Sequence, residues 1–334
     1  MIVNYTELQN KCIDAFCKVG CKKEVAQKSV DALLLAEACG VSSHGLRTLE
    51  SHLQKVVARD YCVNEIIEIE IERQSFARVN CHNQIGMVSA TDCMQLAINK
   101  AKQYGMFTVF ANHCNTFSAA FVYSLLAARN GMIGYVMSNS PAQMAPIGGI
   151  QKLVGSNPMS YAVPANKKNP IIFDMSTSIV AKSKINQARE SGNNIPEGWA
   201  LDEFGNPTTD PNAAVKGFIL PVGGPKGFGL AMMIDLFAGL LSNAQYLDNV
   251  GRFYDHNRNG MNVGQCFVVI DPVAVYGASF YEEIDNYIDK IQTCKTKKDS
   301  IVRIPGQRKF ENLQHCLNFG IDVSDSLLKV IERL

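Results

Sequence analysis

The chain has 334 residues, of which 47% are hydrophobic and 19% are charged, and its net charge is +1 at pH 7. This globular composition predicts about two domains, and the balanced charge argues against a nucleic-acid binder, which would need a basic surface. No apolar run reaches the ~20 residues of a membrane-spanning helix, and the N-terminus lacks the features of a signal peptide. The 11 scattered cysteines include no C-x-x-C pair, which favours a reducing, cytoplasmic location. Because no membrane-spanning run is predicted, we expect no membrane partner.

The first 60 residues carry apolar side chains at helical spacing. Leu8, Cys12 and Phe16 share one face of a first helix, and Thr6 with Gln9 predicts a capping box at its start. Further helices are predicted over 23–39 and 46–57. From residue 67 the period changes to alternating isoleucine and glutamate, which is typical of a half-exposed strand.

From residue 86 onwards, predicted helices and strands alternate. The helices cover 88–104, 117–130 and 226–242, and the strands cover 107–111, 133–138, 161–164, 171–175 and 266–271. Residues 195–212 contain three prolines and two glycines, which predicts a long loop. The last 60 residues are again helical, and Ser324 is the expected N-cap of the final helix.

Helices at both ends around a mixed centre predict two domains of an α/β protein. We expect a helical domain built from both termini, residues 1–75 and 278–334. The intervening residues 76–277 should then form an α/β domain with a mixed central sheet.

The segment 223–229 reads GGPKGFG and precedes an apolar helix. Glycines allow a ligand to approach the backbone, a helix start favours an anion, and Lys226 would add a charge for a phosphate. The spacing matches neither the Rossmann fingerprint nor the Walker loop. Two interpretations stay open: an anion-binding loop, or a tight turn between a strand and a helix.

Two polar segments are further candidates. His44, in SSHG at 42–45, could act as a general acid towards a carbonyl oxygen, or it could be a structural histidine. The hydroxyl-rich FDMSTS at 173–178 could contact ribose or phosphate, or it could be a solvated loop. His52 shares a helical face with His44, but no carboxylate or thiol accompanies them, so no metal site is predicted.

Together these motifs resemble the type-2 malate/L-lactate dehydrogenase family, which includes ureidoglycolate and sulfolactate dehydrogenases, 2,3-diketogulonate reductase and cyclic-ketimine reductases. The resemblance covers nearly the whole chain. It is carried by GVSSHG at 40–45, GSNP at 155–158, FDMST at 173–177, the segments 195–211 and 223–229, and Pro305-Gly306.

The resemblance implies a nicotinamide cofactor, NAD or NADP, bound without a Rossmann fold. It also implies an intimate homodimer, with the helical domain in dimerisation and the site at or near the subunit interface. His44 matches a histidine that is the proton donor in some members. The positions that match cofactor contacts are Ser140, Asp174, Met175, Ser176, Lys226, Gly306, Gln307 and Arg308.

The substrate end departs from the family pattern. Thr48 stands where the family usually has an arginine for a substrate carboxylate, and Arg47 precedes it by one residue, a turn of about 100° on a helix. Thr116 stands where many members have a second acid–base histidine, and His113 lies three residues earlier. We expect Arg47, Thr48 and His52 near the substrate, and Thr116 and His113 as further catalytic candidates.

The implied function is hydride transfer between nicotinamide C4 and a small 2-oxo/2-hydroxy acid, with His44 giving or taking the proton. One alternative is a reductase of a cyclic imine or a sugar-derived keto acid. Another is a non-catalytic dinucleotide-binding protein whose substrate site has decayed.

Overall fold

A computed structural model describes residues 1–256, 260–298 and 300–333. The strands are β1 (Ile2–Val3), β2 (Glu68–Glu72), β3 (Phe76–Asn80), β4 (Met106–Cys114), β5 (Ile133–Ser138), β6 (Ala142–Met144), β7 (Val154–Gly155), β8 (Met159–Val163), β9 (Ile171–Met175), β10 (Ala200–Leu201), β11 (Pro207–Thr208), β12 (Phe218–Ile219), β13 (Val263–Ile270) and β14 (Ile321–Asp322). The α-helices are α1 (Tyr5–Lys18), α2 (Lys23–Ala38), α3 (Leu49–Val57), α4 (Gly86–Tyr104), α5 (Phe121–Arg129), α6 (Lys182–Glu190), α7 (Pro211–Lys216), α8 (Pro225–Ile234), α9 (Pro272–Tyr276), α10 (Phe280–Gln292), α11 (Gln307–Phe319) and α12 (Asp325–Arg333). Short 3₁₀ turns cover Ser42–His44, Leu46–Thr48 and Leu247–Asn249, and a π-helical turn, Asp235–Leu240, extends α8. Within the described ranges, no helix combines the length and the apolar character needed to cross a membrane.

A seven-stranded sheet organises the fold in the order β2-β3-β4-β13-β5-β8-β9. β3 and β4 are parallel, and the other neighbouring pairs are antiparallel. The sheet is therefore mixed, which confirms the predicted fold class. β13 lies at its centre and is almost wholly buried, which explains its nearly continuous apolar sequence.

One hydrophobic core joins the N-terminal helices to the sheet. Phe16 of α1, Leu33 of α2, Met94 of α4 and Phe267 of β13 are fully buried in the same cluster. β1 pairs with β14, and α12 packs against α1. The two ends of the chain therefore lie side by side, as helical patterns at both ends led us to expect.

The division into domains at residues 75 and 278 remains a prediction. β2, on the N-terminal side of the first boundary, pairs with β3 and so belongs to the central sheet. α10 lies beyond the second boundary, yet its Ile288 packs with Ile171 of β9. Both elements thus contact the sheet, and they do not pack with the terminal helices alone.

Two local expectations are wrong. Asn4 caps α1, because its Oδ1 accepts hydrogen bonds from the N–H groups of Thr6 and Glu7 at 2.9 and 3.2 Å. Residues 195–212 are not a plain loop, because they contain β10, β11 and the start of α7. Pro211 occupies the first turn of α7, where a missing N–H is tolerated. With α6 and β12, these elements form a small lobe around Ile185 and Ala200.

Gly86 provides a test of packing between α4 and the loop after β4. A Cβ added at Gly86 would lie 2.1 Å from the Thr116 carbonyl oxygen and 2.5 Å from that of Asn115. Since both are backbone atoms, we expect Gly86→Ala to lower the free energy of unfolding by ~1–3 kcal/mol, measured by chemical denaturation. Gly229→Ala in α8 is the control, because its added Cβ meets no atom within 4 Å. Equal destabilisation of the two variants would contradict the prediction.

Candidate active site

β9 is the outermost strand of the sheet, and three segments dock onto it and onto the residues that follow it. The Ile172 N–H donates to the Pro305 carbonyl at 3.1 Å, and the Thr177 N–H donates to the Ser156 carbonyl at 2.8 Å. The Val222 N–H in turn donates to the Thr177 carbonyl at 2.9 Å. Four of the sequence motifs therefore meet along one edge of the sheet.

The glycine-rich segment 223–229 lies at the start of α8. Gly223 and Gly224 both have φ of +62°, and a Cβ added at either would meet no atom within 4 Å. The backbone is therefore open to a ligand, and the first N–H groups of a helix favour an anion. The exposed Lys226 lies in the same turn. These features fit the pyrophosphate of a dinucleotide and favour the anion-binding interpretation.

Ser140 is held beside α8 by a buried asparagine. Asn157 Oδ1 accepts a hydrogen bond from the Ser140 N–H at 3.0 Å, and Asn157 Nδ2 donates to the Ala231 carbonyl at 2.9 Å. Gly155 allows this close approach, because an added Cβ would lie 2.1 Å from the Ser140 carbonyl oxygen. Ser140 is thus fixed relative to the helix that carries the glycine-rich segment.

The other expected cofactor contacts differ in their accessibility. Met175 ends β9 half-buried, and Ser176 Oγ lies 3.2 Å from Ser178 Oγ. The Gln307 side chain contacts the preceding loop, because its Oε1 accepts a hydrogen bond from the Ile304 N–H at 3.3 Å. Arg308 is exposed at the start of α11. Gln307 therefore already has a structural contact, whereas Arg308 is accessible to a ligand.

Gly306 brings α11 against β9. Its φ is +90°, and an added Cβ would lie 2.8 Å from the Ile172 Cβ. Ile172 and Asp174 are two residues apart on the strand, so their side chains lie on the same face of the sheet. Lys309, three residues into α11, places its Nζ 3.4 Å from Asp174 Oδ2. Burial raises the pKa of Asp174, and Lys309, His44 and the Phe121 backbone oppose that rise.

His44 lies close enough to Asp174 for their charges to interact. It ends the 3₁₀ turn Ser42–His44, and its Nδ1 lies 2.9 Å from the Ser43 hydroxyl. Desolvation by the surrounding protein lowers the pKa of His44, Lys309 lowers it further, and Asp174 opposes both effects. The residue nevertheless keeps part of its surface exposed to solvent. His44 therefore has the environment of a group that can exchange a proton.

Ser118 joins the loop after β4 to His44. Its hydroxyl donates to the His44 carbonyl at 2.6 Å, and its φ of +71° is unusual for serine. Thr116 lies two residues earlier and is half-buried. The structure therefore brings the Thr116 loop to His44, but threonine offers only a hydroxyl at that position.

The expected substrate residues do not form one cluster. Arg47 is exposed, and the Thr48 hydroxyl donates to the Gly45 carbonyl at 2.9 Å. His52 is 1% exposed, and its Nδ1 lies 3.0 Å from the Tyr61 hydroxyl. Burial lowers the pKa of His52 to about 3, with a further contribution from Lys55. The expectation that His52 contacts substrate is therefore corrected, because the ring is enclosed by protein.

His113 lies in a separate place. Its Nδ1 is 2.7 Å from Asn112 Oδ1, and its N–H donates to Asn262 Oδ1 at 3.0 Å. The side chain lines a cavity of about 510 Å³ together with His82 and several asparagines. Within the described residues, no contact joins it to His44, so the structure does not support His113 as a substitute for Thr116.

Sequence reasoning missed three residues that shape the site: Lys309, Ser118 and Asn157. Lys309 directly follows the run 306–308 that the resemblance assigns to the cofactor. Asn157 lies within the GSNP motif, so the motif was a signal for it. Nothing in the sequence indicated that Ser118 would adopt a positive φ and hold the His44 backbone.

The chain is similar along most of its length to known dehydrogenases. The chain is 34% identical over 335 residues to malate/(S)-sulfolactate dehydrogenase of Methanothermus fervidus, covering 100% of this chain and 97% of that protein. The names of two further relatives include their cofactor. One is (2R)-3-sulfolactate dehydrogenase (NADP(+)) of Chromohalobacter salexigens, which is 30% identical over 92% of this chain and 90% of that protein. The other is ureidoglycolate dehydrogenase (NAD(+)) of Escherichia coli O157:H7, which is 32% identical over 87% of this chain and 81% of that protein.

Solved structures give the same result. Sulfolactate dehydrogenase from Methanocaldococcus jannaschii superposes with a TM-score of 0.92 at 31% identity, covering 100% of this chain and 96% of that one. Delta1-piperideine-2-carboxylate reductase from Pseudomonas syringae gives 0.90 at 25% identity, covering 100% and 99%. The sequence model of the malate/L-lactate dehydrogenases matches residues 3–332. The chain therefore belongs to the malate/L-lactate dehydrogenase family.

Proposed function

We propose that this chain is an NAD(P)-dependent oxidoreductase that interconverts a small 2-oxo acid and the corresponding 2-hydroxy acid. The observation that carries the proposal is the group formed by Ser43, His44 and Asp174 of β9. The glycine-rich segment is joined to the chain after β9 by the hydrogen bond from the Val222 N–H to the Thr177 carbonyl. Relatives named for malate, sulfolactate and ureidoglycolate support this substrate class.

The residues at the edge of the sheet fit a nicotinamide dinucleotide. When bound, this cofactor supplies or accepts the hydride. The open backbone at Gly223 and Gly224, together with Lys226, would hold its pyrophosphate. Ser140 and Ser176 would add hydroxyl contacts. We expect the remaining matching positions, Asp174, Met175, Gly306, Gln307 and Arg308, to border the same ligand.

His44 is the proposed proton-transfer group. Its lowered pKa favours the neutral ring near neutral pH, and a neutral imidazole can accept a proton from a substrate hydroxyl. Ser43 lies at Nδ1, so Nε2 is the nitrogen left for proton exchange. Asp174 stabilises the imidazolium that forms, because an opposite charge favours the charged ring. In reduction, the imidazolium returns the proton to the substrate oxygen.

A cyclic imine or a sugar-derived keto acid is the second candidate substrate. The structural likeness to a piperideine carboxylate reductase favours the imine. Thr48, which carries no charge, also suggests that substrate recognition has changed from the family's usual pattern. Steady-state assays over a panel of 2-oxo acids, keto acids and cyclic imines separate the candidates. Dinucleotide binding without turnover of any of them would instead support a decayed substrate site.

The first prediction concerns the proton-transfer group. His44→Ala should lower kcat by about 10²–10⁴-fold, the usual contribution of a general acid, while NADH affinity measured by fluorescence stays nearly the same. Thr116→Ala should have a much smaller effect, because a hydroxyl cannot titrate in this range. Thr116→His should change the rate or the substrate preference. Full activity in His44→Ala, together with loss of activity in His113→Ala, would overturn the assignment.

The second prediction concerns the pyrophosphate. Lys226→Ala removes a charge-assisted contact worth ~1.5–3 kcal/mol, so dinucleotide affinity should weaken by about 10- to 150-fold. Calorimetric titration with NADH and NADPH measures it. Lys216→Ala is the matched control, because this exposed lysine lies outside the motif. Unchanged affinity for both dinucleotides in Lys226→Ala would remove Lys226 from the site.

The third prediction concerns assembly and location. We propose that the chain acts as a cytoplasmic homodimer. The end of α8 and the following π-helical turn expose the large apolar side chains Met232, Leu236, Phe237, Leu240 and Leu241, and such a patch favours a protein interface. Light scattering at micromolar concentration should give twice the mass of one chain. A monomer would contradict the proposal.

A further inference from the structure

Lys309 is a cation in the candidate active site that the proposed mechanism does not use. Its Nζ lies 3.4 Å from Asp174 Oδ2 and 4.2 Å from the centroid of the Phe121 ring. The side chains of Lys309 and Asp174 are only 19% and 15% exposed. A cation in the first turn of a helix is also unfavourable for the helix dipole. Its position therefore depends on the groups that it contacts.

The backbone holds Lys309 at this point. The contact of Gly306 with Ile172 anchors the start of α11, and Ile172 lies two residues before Asp174 on the same face of β9. The ammonium also packs over the Phe121 ring, which limits its movement further. The pair thus has a fixed geometry, unlike an exposed ion pair between flexible side chains.

We propose that Lys309 is a positioning residue, which fixes the Asp174 carboxylate as an anion facing His44. This inference rests on the proposed role of His44 in proton transfer. Lys309 acts through Asp174, and it need not touch the substrate itself.

The charged groups around the pair support this role. Asp174 faces Lys309, His44 and the Phe121 backbone, all of which lower its pKa against the effect of burial. Lys309 also lies near the Cys39 thiol, but burial raises the pKa of Cys39 to about 11, so this thiol is neutral near pH 7. His44 faces Ser43, Asp174 and Lys309. Lys309 is therefore the fixed cation that opposes protonation of Asp174.

Carboxyl NMR tests the proposal in the full chain without substrate. With ¹³C-labelled aspartate, the Asp174 signal is identified by its absence in Asp174→Asn. In Lys309→Met, the pKa of Asp174 should rise by about 1–3 units, because an opposite charge has been removed from beside a buried carboxyl. Lys309→Arg should retain the parent value, since it keeps the charge.

Kinetics give a second readout. The acid limb of the kcat/KM profile for oxidation should move to higher pH in Lys309→Met, because loss of the cation raises the pKa of both Asp174 and His44, and it should stay in place in Lys309→Arg. The carboxyl titration separates the two contributions. The exposed Lys329→Met, in α12, is the control for loss of one positive charge. Removing one partner of a largely buried ion pair is destabilising, so thermal unfolding of Lys309→Met measures this structural effect separately from the pH profile.

Two results would overturn the proposal. One is an Asp174 titration in Lys309→Met that coincides with that of the parent, whatever the change in stability. The other is a Lys309→Arg variant that behaves like Lys309→Met. If no substrate is turned over, the proposed function fails, but the carboxyl titration still decides whether Lys309 controls Asp174.

Discussion

The contact between Gly306 and Ile172 is the constraint on which the site depends. β9 is the edge of the sheet, and an edge strand leaves backbone groups unpaired. The Pro305 carbonyl accepts a hydrogen bond from the Ile172 N–H. The next residue, Gly306, lies so close to Ile172 that a side chain at this position would clash with it. The same contact covers the edge and sets the start of α11 beside Asp174. A requirement of the sheet thus also creates the electrostatic environment of His44.

The sequence predicted the elements that depend on local pattern. The strands 133–138 and 171–175 match β5 and β9, because short apolar runs between turns are typical of buried strands. Ser324 caps α12 as expected, since its Oγ accepts a hydrogen bond from the Leu327 N–H at 3.3 Å. The elements within 195–212 were not predicted. The strands there are only two residues long and α7 begins at a proline, and local composition does not distinguish such short elements from a loop.

The site could be predicted only where a motif was contiguous. Lys309 and Asp174 are 135 residues apart in the chain, so no local pattern relates them. His52 illustrates the opposite error: helical spacing predicts that it shares a face with His44, but His44 ends a separate 3₁₀ turn and His52 lies in α3. Tyr61 and Phe253 pack against the ring and enclose it. Long-range packing therefore decided which expected site residues are accessible.

The carboxylate of the proposed 2-oxo acid needs a positive charge near His44, and the source of that charge bears on the proposed homodimer. Lys309 is paired with Asp174, so it brings no spare positive charge for the carboxylate of a 2-oxo acid. Thr48 brings none either, because its hydroxyl is bonded to the Gly45 carbonyl. Arg47 is exposed and follows His44 by three residues, so it is one source of that charge. In the proposed homodimer, a basic side chain of the second subunit is a further source of that charge, which would give the proposed assembly a chemical role beyond stability.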